Sequence, residues 1–523
     1  MYKNLFSVAA FTLLSRLTGF FRDVMLGAVL GAGGLADAFY VAFRLPNHFR
    51  AIFGEGAFNA AYVPSYSRIL ATQGESAGRW FTSQIFTLLL FSQLAFLGLA
   101  LAFTPQLIDL LAPGFRADPS KFAEAVTLTR ITFPYLLFIT LVTLQSGTLN
   151  ARGHFAAAAF APVLLNLVMI LCLALAFLFP NAAVAAAVGV TFSGLCQFAL
   201  TYFALRRDGL NEHLVPLKWS KEVRHFFFVL GPAIIGSAGV QLALFADTII
   251  ASMLPTGGVS SIYYADRIYQ LPIGVIGVAA GTVLLPEMSR RIASGDHGGA
   301  FHAQNRAMAL SIVLAAPFFV AFIMIPDVIM RGVFLRGAFT ETAAIASANV
   351  LTAYGFGLIA IVLIRSVVAS FQAIGDTRTP MLISLFAVAV NISLKVLLFK
   401  SMGAAGLAAA TAAGAWINLI LLCVFALQRN LFRPDELVAK SAASTSIAAF
   451  ALALFALFFT FPAATFAAGV GHFENMIELI CLFAGGALVY AVVLGLGLLV
   501  SGIRWPRVPE RPLMHRGVGR KLK

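Results

Sequence analysis

Residues Ser15–Arg68 read SRLTGFFRDVMLGAVLGAGGLADAFYVAFRLPNHFRAIFGEGAFNAAYVPSYSR, and they combine membrane-like hydrophobicity with several charged side chains. A charged group at the centre of a bilayer costs about 2.5–3.5 kcal/mol on insertion scales, so several such groups cannot all face lipid. We therefore expect them to face a bundle interior, an aqueous cavity or one another. The residues concerned are Arg16, Arg22, Asp23, Asp37, Arg44, Arg50 and Glu55.

The composition of the whole chain is that of a polytopic membrane protein. Of its 523 residues, 60% are hydrophobic and 11% are charged, and the mean hydropathy is +0.91. Soluble globular domains do not have such values. The net charge of +14 does not indicate a nucleic-acid partner, because most Lys and Arg residues fall in short loops on one predicted side of the membrane. The four cysteines lie in apolar segments, which favours small buried side chains over disulfides or metal ligands.

About fourteen apolar runs are long enough to cross a bilayer, which needs roughly twenty helical residues. They lie near residues 4–30, 35–68, 80–103, 122–150, 155–179, 182–205, 225–254, 258–289, 302–326, 341–373, 380–399, 404–427, 440–464 and 474–502. The sequence therefore predicts an all-α polytopic membrane protein with about fourteen transmembrane helices.

The positions of the basic residues predict the orientation of the chain. If the N-terminus is cytoplasmic, most of the 36 Lys and Arg residues fall in cytoplasmic loops or in the tail, as the positive-inside rule requires. An even number of spans then returns the C-terminus to the cytoplasm. The first apolar run is too long and too charged for a cleavable signal peptide.

The two halves of the chain resemble each other. Phe20–Tyr40 aligns without gaps to Leu244–Tyr264, so that Asp23 falls on Asp247, and a Gly-Gly pair and an aromatic pair also coincide. Repeats with an even number of helices are parallel, and transporters place substrate sites between such halves. The predicted organisation is a six-helix lobe at 1–205, a cytoplasmic interfacial linker at 206–224, a second six-helix lobe at 225–428, a helix pair at 429–503 and a basic cytoplasmic tail at 504–523.

The arginine excess of the first two helices suits an anionic ligand, because guanidinium groups pair with phosphate or carboxylate oxygens in a bidentate way. The candidate substrate-binding residues are Arg16, Arg22, Arg44, Arg50 and Arg267. The candidate supporting carboxylates are Asp23, Asp37, Glu55 and Asp266. The alternative is a set of static salt bridges that only hold the helices together, a role that best suits Asp23, Asp37 and Asp266.

A second group of polar residues is predicted in the second half. Asp247 lies on the seventh predicted helix, Asn391 and Lys395 lie one turn apart on the eleventh, and Thr411 lies on the twelfth. A lone carboxylate with Asn and Thr can hold Na⁺ or a proton inside a bundle. Because Lys395 supplies an ammonium group of its own, the sequence favours a permanent Asp247–Lys395 ion pair over an exchangeable ion site.

Enzyme signatures are missing from the sequence. It contains no phosphate-binding G-x-x-x-x-G-K-[ST] loop, no H-E-x-x-H and no G-x-S-x-G. We therefore predict no catalytic residue, no metal site and no cofactor. The last two predicted helices carry almost no charge, and they either face lipid or form a groove for a lipid chain.

Three motifs make the chain resemble the MurJ/MviN family of lipid II flippases, within the multidrug/oligosaccharidyl-lipid/polysaccharide exporter (MOP) superfamily. They are SRLTGFFRD, GAGGLADAFYVAFRLPNHFRAIFGEGAFNAAYVP and YYADRIYQLPIGVIGVAAGTVLLPEMSR. The resemblance implies two pseudo-symmetric six-helix lobes in a MATE-like V shape, with helices thirteen and fourteen forming a lipid-tail groove. It also implies importance for Arg16, Arg22, Asp37, Arg44, Arg50, Glu55, Asp266 and Arg267. Some members have a sodium site with a carboxylate where Lys395 falls, so sodium coupling through this site is not expected here.

The resemblance implies a transporter that flips undecaprenyl-pyrophosphate disaccharide-pentapeptide (lipid II) from the inner to the outer leaflet of the bacterial cytoplasmic membrane for peptidoglycan synthesis. The expected partners are lipid II, membrane phospholipids and other cell-wall synthesis proteins, and the protein is expected to work as a monomer. One alternative is an exporter of another lipid-linked oligosaccharide or of drugs. A drug exporter would need an aromatic, acidic cavity. The other alternative is a membrane scaffold for cell-wall synthesis enzymes, which would not need buried arginines.

Overall fold

The computed structural model describes residues 2–50, 56–470 and 473–503. Within these ranges it describes no side chain at residues 2–6, 45, 49–50, 56–57, 235–243, 278–283 and 470. The described part of the chain forms α-helices joined by short turns and contains no β-strand. The all-α prediction is therefore confirmed.

The first half contains eight helices. They are α1 Tyr2–Leu30, α2 Gly34–Arg50, α3 Gly56–Ala102, α4 Thr104–Leu111, α5 Pro119–Thr132, α6 Pro134–Ala151, α7 Ala156–Ala174 and α8 Ala182–Arg207. The second half and the terminal pair contain α9 Lys221–Ser252, α10 Gly258–Pro272, α11 Val278–Ala293, α12 His297–Met324, α13 Pro326–Phe334, α14 Glu341–Gly355, α15 Leu358–Ala373, α16 Arg378–Gln428, α17 Glu436–Ala467 and α18 Glu474–Val500. A single π-helical turn, Ile273–Gly277, joins α10 to α11.

Two long helices are broken by glycines in the left-handed region. Gly74 in α3 has φ +84° and Gly403 in α16 has φ +57°, a conformation that costs a residue with a Cβ about 1–2 kcal/mol. These breaks separate spans that the sequence predicts individually. Nine helices in the described ranges are long and apolar enough to cross a membrane, so the expected number of fourteen stays a prediction.

The helices pair in the same way in both halves. In the first half α1 packs on α7, α2 on α5 and α3 on α6, and in the second half α9 packs on α16, α10 on α14 and α11 on α15. This agreement supports the internal repeat that the sequence indicates. The terminal helices α17 and α18 pack on each other and on α12 and α13.

The first turns of α9 pack against the first half. Phe226 is fully buried, and its ring centroid lies 5.6 Å from that of Phe58 and 6.3 Å from that of Phe81. Burying a large apolar side chain contributes roughly 1.5–3 kcal/mol. The predicted lobe boundary at residue 225 stays a prediction, but this packing ties the start of α9 to α3.

The connection between α8 and α9 is bound to α3 by a row of polar side chains. The Oγ of Ser83 accepts a hydrogen bond from the main-chain N–H of His213 (3.2 Å), and Thr87 accepts one from Val215 (3.2 Å). Gln84 accepts from the N–H of Lys218 (2.8 Å) and also donates to a neighbouring carbonyl. Side chains on one face of α3 thus accept hydrogen bonds from main-chain N–H groups of the linker, and these bonds hold the linker against α3.

Glu212 is buried where this linker begins. Its carboxylate accepts a hydrogen bond from Nε2 of Gln145 (2.5 Å), and Gln145 in turn accepts from the hydroxyl of Thr201. The second carboxylate oxygen of Glu212 is buried without a partner. Burial raises the pKa of the Glu212 carboxyl above its ordinary value of 4.5, and the hydrogen bond from Gln145 offsets part of that rise.

We expect Glu212→Gln to change how stability depends on pH. The pKa of Glu212 is higher in the folded state than in the unfolded state, so protonation of Glu212 favours the folded protein. This contribution to the free energy of unfolding is fully present below the unfolded-state pKa, and it is lost as pH rises through the folded-state pKa. The melting temperature of Glu212→Gln in detergent should match that of the original protein near pH 4 and exceed it near pH 8.

The control is Glu222→Gln at the start of α9. Hydrogen bonds to the carboxylate from its own main chain and from Ser220 lower the pKa of Glu222, so this substitution should lower the melting temperature at pH 8. Parallel pH profiles for Glu212→Gln and the original protein would contradict the prediction.

Candidate functional site

A buried carboxylate on α1 lies at the centre of the charged residues. The Oδ1 atom of Asp23 accepts hydrogen bonds from Arg22 Nη2 (2.6 Å) and from the hydroxyl of Tyr263 (3.0 Å). Its Oδ2 atom lies 3.3 Å from Nε of Arg267, whose guanidinium also stacks over the Tyr263 ring at 4.5 Å. Asp23 is only 3% exposed. One carboxylate thus joins two arginines that come from different halves of the chain.

Asn166 on α7 holds Arg22 in position. Its Oδ1 accepts from Arg22 Nη1 (2.9 Å), and its Nδ2 donates to the carbonyl of Ser15 (2.9 Å) and to the hydroxyl of Thr18 (3.2 Å). The side chain is 4% exposed. The sequence analysis missed this residue, although a lone Asn in the apolar run Ala156–Ala174 is a usable signal, because a buried amide requires partners.

These groups open onto a cavity of about 630 Å³, called here the cationic cavity. Its polar lining consists of Ser15, Arg16, Arg22, Asp23, Asn166, Arg267 and Gln270. Arg16 is exposed and forms no ion pair among the described residues. Three guanidinium groups therefore face one carboxylate, which leaves an excess of positive charge for an anion.

A second cavity of about 280 Å³, the mixed-charge cavity, adjoins the first. Arg267 and Gln270 line both cavities. The mixed-charge cavity also contains Arg44, His48, Asp247, Asp266, Tyr354 and Lys395. Asp266 accepts a hydrogen bond from Gln270, whereas Arg44 has no ion pair within the ranges that the structure describes. Arg44 and Asp266 thus add one cation and one carboxylate beside the site, and neither forms an ion pair among the described residues.

The polar group predicted in the second half is brought together only in part. Nζ of Lys395 lies 2.6 Å from Oδ1 of Asp247, and Lys395 is 4% exposed. Thr411 donates to the carbonyl of Leu407 in its own helix (3.0 Å), and Oδ1 of Asn391 is buried without a partner. The described residues contain no cluster of three or more His, Cys, Asp or Glu side chains suited to a metal ion. The geometry is that of a salt bridge between Asp247 and Lys395.

Asp37 lies apart from the arginine cluster and closes the two halves against each other. Its carboxylate accepts from Lys121 Nζ (2.8 Å), from the N–H groups of Gly257 (2.8 Å) and Ser260 (2.9 Å), and from the Ser260 hydroxyl (2.8 Å). It therefore caps the positive end of α10. We call this set the Asp37 closure.

Aromatic and main-chain contacts extend the Asp37 closure. The rings of Tyr40 and Tyr263 stack at 3.8 Å, and the hydroxyl of Tyr264 donates to the carbonyl of Gly31 (2.8 Å). Glu55 and the side chain of Arg50 lie outside the described residues.

An apolar cleft of about 420 Å³ meets the cationic cavity at Phe20 and Leu271, which line both. Its other walls come mainly from α12, α13 and α18 and include Phe318, Ile329, Leu479 and Phe483. A terminal helix thus contributes directly to a hydrophobic surface beside the charged site. A charged cavity that continues into an apolar cleft is suited to a ligand with a polar head and a hydrocarbon chain.

Two helical halves that pair their helices in the same way and meet at charged cavities are the arrangement of the MATE-like fold class, which transporters use. The structure resembles a solved structure titled "Lipid II flippase MurJ, inward closed conformation", with TM-score 0.78 and 23% identity over 94% of this chain and 99% of that one. It also resembles an inward-facing multidrug resistance MATE family transporter of the MOP superfamily, with TM-score 0.67 and 15% identity over 81% and 97% of the two chains. At these identities the likeness shows the fold, and it confirms the predicted fold class.

A family model described as "Lipid II flippase MurJ" matches residues 26–476. The "Probable lipid II flippase MurJ" of Rhizobium meliloti (strain 1021) is 37% identical over 507 residues, which is 95% of this chain and 94% of that protein. The "Lipid II flippase MurJ" of Burkholderia cenocepacia is 34% identical over 443 residues, or 83% and 85% of the two chains. The chain belongs to the MurJ family, and it is a multi-pass membrane transporter, not an enzyme.

We expect Asp37→Asn to weaken the Asp37 closure. Removing the carboxylate leaves the buried Lys121 ammonium unpaired, which costs about 3–5 kcal/mol in comparable buried pairs, and opening relieves that cost. In a background with the four native cysteines replaced by alanine, Val259→Cys reports the change, because Val259 is 1% exposed in the closed form. Its reaction with a membrane-impermeant thiol reagent should become faster.

The control is Asp109→Asn, which removes a carboxylate from the exposed Asp109–Arg116 pair. This surface pair contributes little, so the labelling rate of Val259→Cys should not change. Equal labelling rates with and without Asp37→Asn would contradict the role given to Asp37.

Proposed function

We propose that this protein moves lipid II from the inner to the outer leaflet of the cytoplasmic membrane by alternating access. The observation that carries the proposal is the meeting of the cationic cavity and the apolar cleft at Phe20 and Leu271. Lipid II has a diphosphate head and a long prenyl chain. The head fits a cavity lined by arginines, and the chain fits the cleft that continues from it.

The main barrier to flipping is the dehydration of the charged headgroup. The guanidinium groups of Arg16, Arg22 and Arg267 would replace the water around the diphosphate with fixed, charge-assisted hydrogen bonds. Asn166 keeps Arg22 oriented, so that less side-chain entropy is lost when the anion binds. The prenyl chain can stay in the cleft or in lipid, because it never has to leave an apolar environment.

Alternating access requires one end of the cavity to open while the other closes. The Asp37 closure and the stacked Tyr40 and Tyr263 rings join the halves at the end where α1 meets α2. Opening this end would also part Asp23 from Tyr263 and Arg267. We therefore propose that the halves rock about the cavity and that these contacts form the gate on the outer side.

Binding alone equalises lipid II between the leaflets, so net transport needs a driving force. An inside-negative membrane potential acts with about 2.3 kcal/mol per charge per 100 mV. After the anion has left, that field would act on the positive charges of the empty cavity and favour the conformation that opens towards the cytoplasm.

We further propose an inner-membrane location with both termini cytoplasmic, because the basic residues then follow the positive-inside rule. On the same grounds the 206–224 linker and the 504–523 tail lie on the cytoplasmic side. We also propose that the protein works as a monomer, since one chain supplies both cavities. Phospholipids and cell-wall synthesis proteins are its proposed neighbours in the membrane.

The test is transport by Arg22→Ala and, separately, by Arg267→Ala in a bacterium depleted of its own flippase. Both variants should insert normally, but lipid II should not become accessible to an external probe, because each loses a cation of the cationic cavity. The control is Arg116→Ala, an exposed residue paired with Asp109, which should transport normally. Normal transport by both cavity variants would refute the proposed site, and failure of the original protein would refute the function.

We expect removal of sodium to leave transport unchanged. The carboxylate of Asp247 already has a cation in Nζ of Lys395 at 2.6 Å, so an added Na⁺ would compete with a bound ammonium. The measurement compares lipid II flipping in proteoliposomes with sodium or choline as the only monovalent cation. The matched variant Lys395→Asp, which adds a carboxylate beside Asp247, should become sensitive to sodium. A steep sodium dependence of the original protein would contradict this prediction.

A further inference from the structure

Arg365 is a cation that the proposed transport cycle does not yet use. It lies in α15, in the apolar run LIAIVLIRSVVASFQA. The helix packs against α11, α12 and α16, and most of its residues are buried. Arg365 is exposed, and so is Gln372 two turns further along. Within the described part of the chain, Arg365 forms no ion pair and no hydrogen bond.

The guanidinium of Arg365 lies against a glycine of the π-helical turn Ile273–Gly277. A Cβ atom at Gly277 would lie 3.0 Å from Nε of Arg365 and 3.1 Å from its Cδ. Gly274, in the same turn, contacts an arginine of the first half of the chain. A Cβ atom at Gly274 would lie 3.0 Å from Nη1 of Arg16. Two arginines from different halves thus contact one π turn, at the two positions where no side chain obstructs them.

This turn borders the cationic cavity. Gly274 and Val275 line that cavity together with Arg16, and Val275 is 66% exposed. Single π turns within α-helices frequently occur at functional sites. Arg365 reaches the same turn at Gly277, three residues along the chain from Gly274. Only this π turn separates its guanidinium from the cationic cavity.

Lipid exposure does not explain Arg365. An arginine that faces hydrocarbon within a membrane span is strongly disfavoured, and no carboxylate among the described residues forms an ion pair with Arg365. The exposed side of α15 also carries Gln372. A stripe with an arginine and a glutamine is typical of a helix that faces an aqueous cavity.

We infer that Arg365 is a further headgroup-binding residue, which contacts an oxyanion of the transported lipid from the second half of the chain. The inference rests on the proposed function and adds a residue to its site. The chemistry of the contact is guanidinium to oxyanion, and the oxyanion is either a diphosphate oxygen or a carboxylate of the peptide part of lipid II. Gly277 is the positioning residue, because it leaves room for the guanidinium.

The test is equilibrium binding of two probes to the purified full-length protein in detergent. The probes are lipid II and undecaprenyl diphosphate, which lacks the sugars and the peptide. A hydrogen bond to a charged group contributes about 1.5–3 kcal/mol, so Arg365→Ala should weaken lipid II binding about tenfold or more. Gly277→Val should weaken it similarly with the arginine still present, and Arg365→Lys should weaken it less.

The control Arg378→Ala removes an exposed arginine at the cytoplasmic start of α16 and should bind both probes like the original protein. Weaker binding of both probes by Arg365→Ala identifies the diphosphate as the contact, and weaker binding of lipid II alone identifies a peptide carboxylate. Either result supports the inference. If Arg365→Ala melts at a lower temperature than the original protein, its binding result is replaced by that of Arg365→Gln. This variant keeps most of the length of the side chain and removes its charge.

Unchanged binding of both probes by Arg365→Ala and Arg365→Gln would overturn the inference. Normal binding by Gly277→Val together with loss in Arg365→Ala would overturn the role given to Gly277. Failure of the original protein to bind lipid II at all would instead refute the proposed function, so the two failures are distinguishable.

Discussion

The shared carboxylate of Asp23 is the interaction on which the centre of this structure depends. It is buried, and it is surrounded by two guanidinium groups and one phenol hydroxyl. A buried carboxylate is stable only if charged or polar partners surround it. Since Arg22 comes from the first half and Arg267 from the second, the same carboxylate also sets the distance between the halves.

The surroundings of Asp23 explain how a mostly apolar protein can hold a highly charged headgroup. The arginines outnumber the carboxylates in the cationic cavity, and the apolar cleft begins at its edge. A ligand with only a charged head would gain nothing from the cleft, and a purely apolar ligand would leave the arginines without counter-ions. The combination selects for lipids with anionic heads, which agrees with membership of the MurJ family.

Much of the architecture could be predicted, because charged groups in apolar helices are constrained by their cost. The repeat, the all-α class and the cluster of Arg22, Asp23 and Arg267 follow from this constraint and from the aligned motifs. The partners of Asp37 could not be predicted in this way. From the sequence, Lys121 is expected to be an exposed basic residue of a loop, but it is buried against Asp37. Two further donors to this carboxylate are main-chain N–H groups, and the sequence does not indicate which main-chain groups will donate.

The donors around Asp37 have a genetic consequence. The N–H groups of Gly257 and Ser260 belong to the backbone, so no replacement at those positions removes them, short of proline. Mutations that loosen this end of the molecule are therefore concentrated on the two side chains of the ion pair, Asp37 and Lys121. A selection for leaky or constitutively open alleles should return changes at codons 37 and 121 more often than at codon 260, where a replacement removes the hydroxyl donor but keeps the N–H.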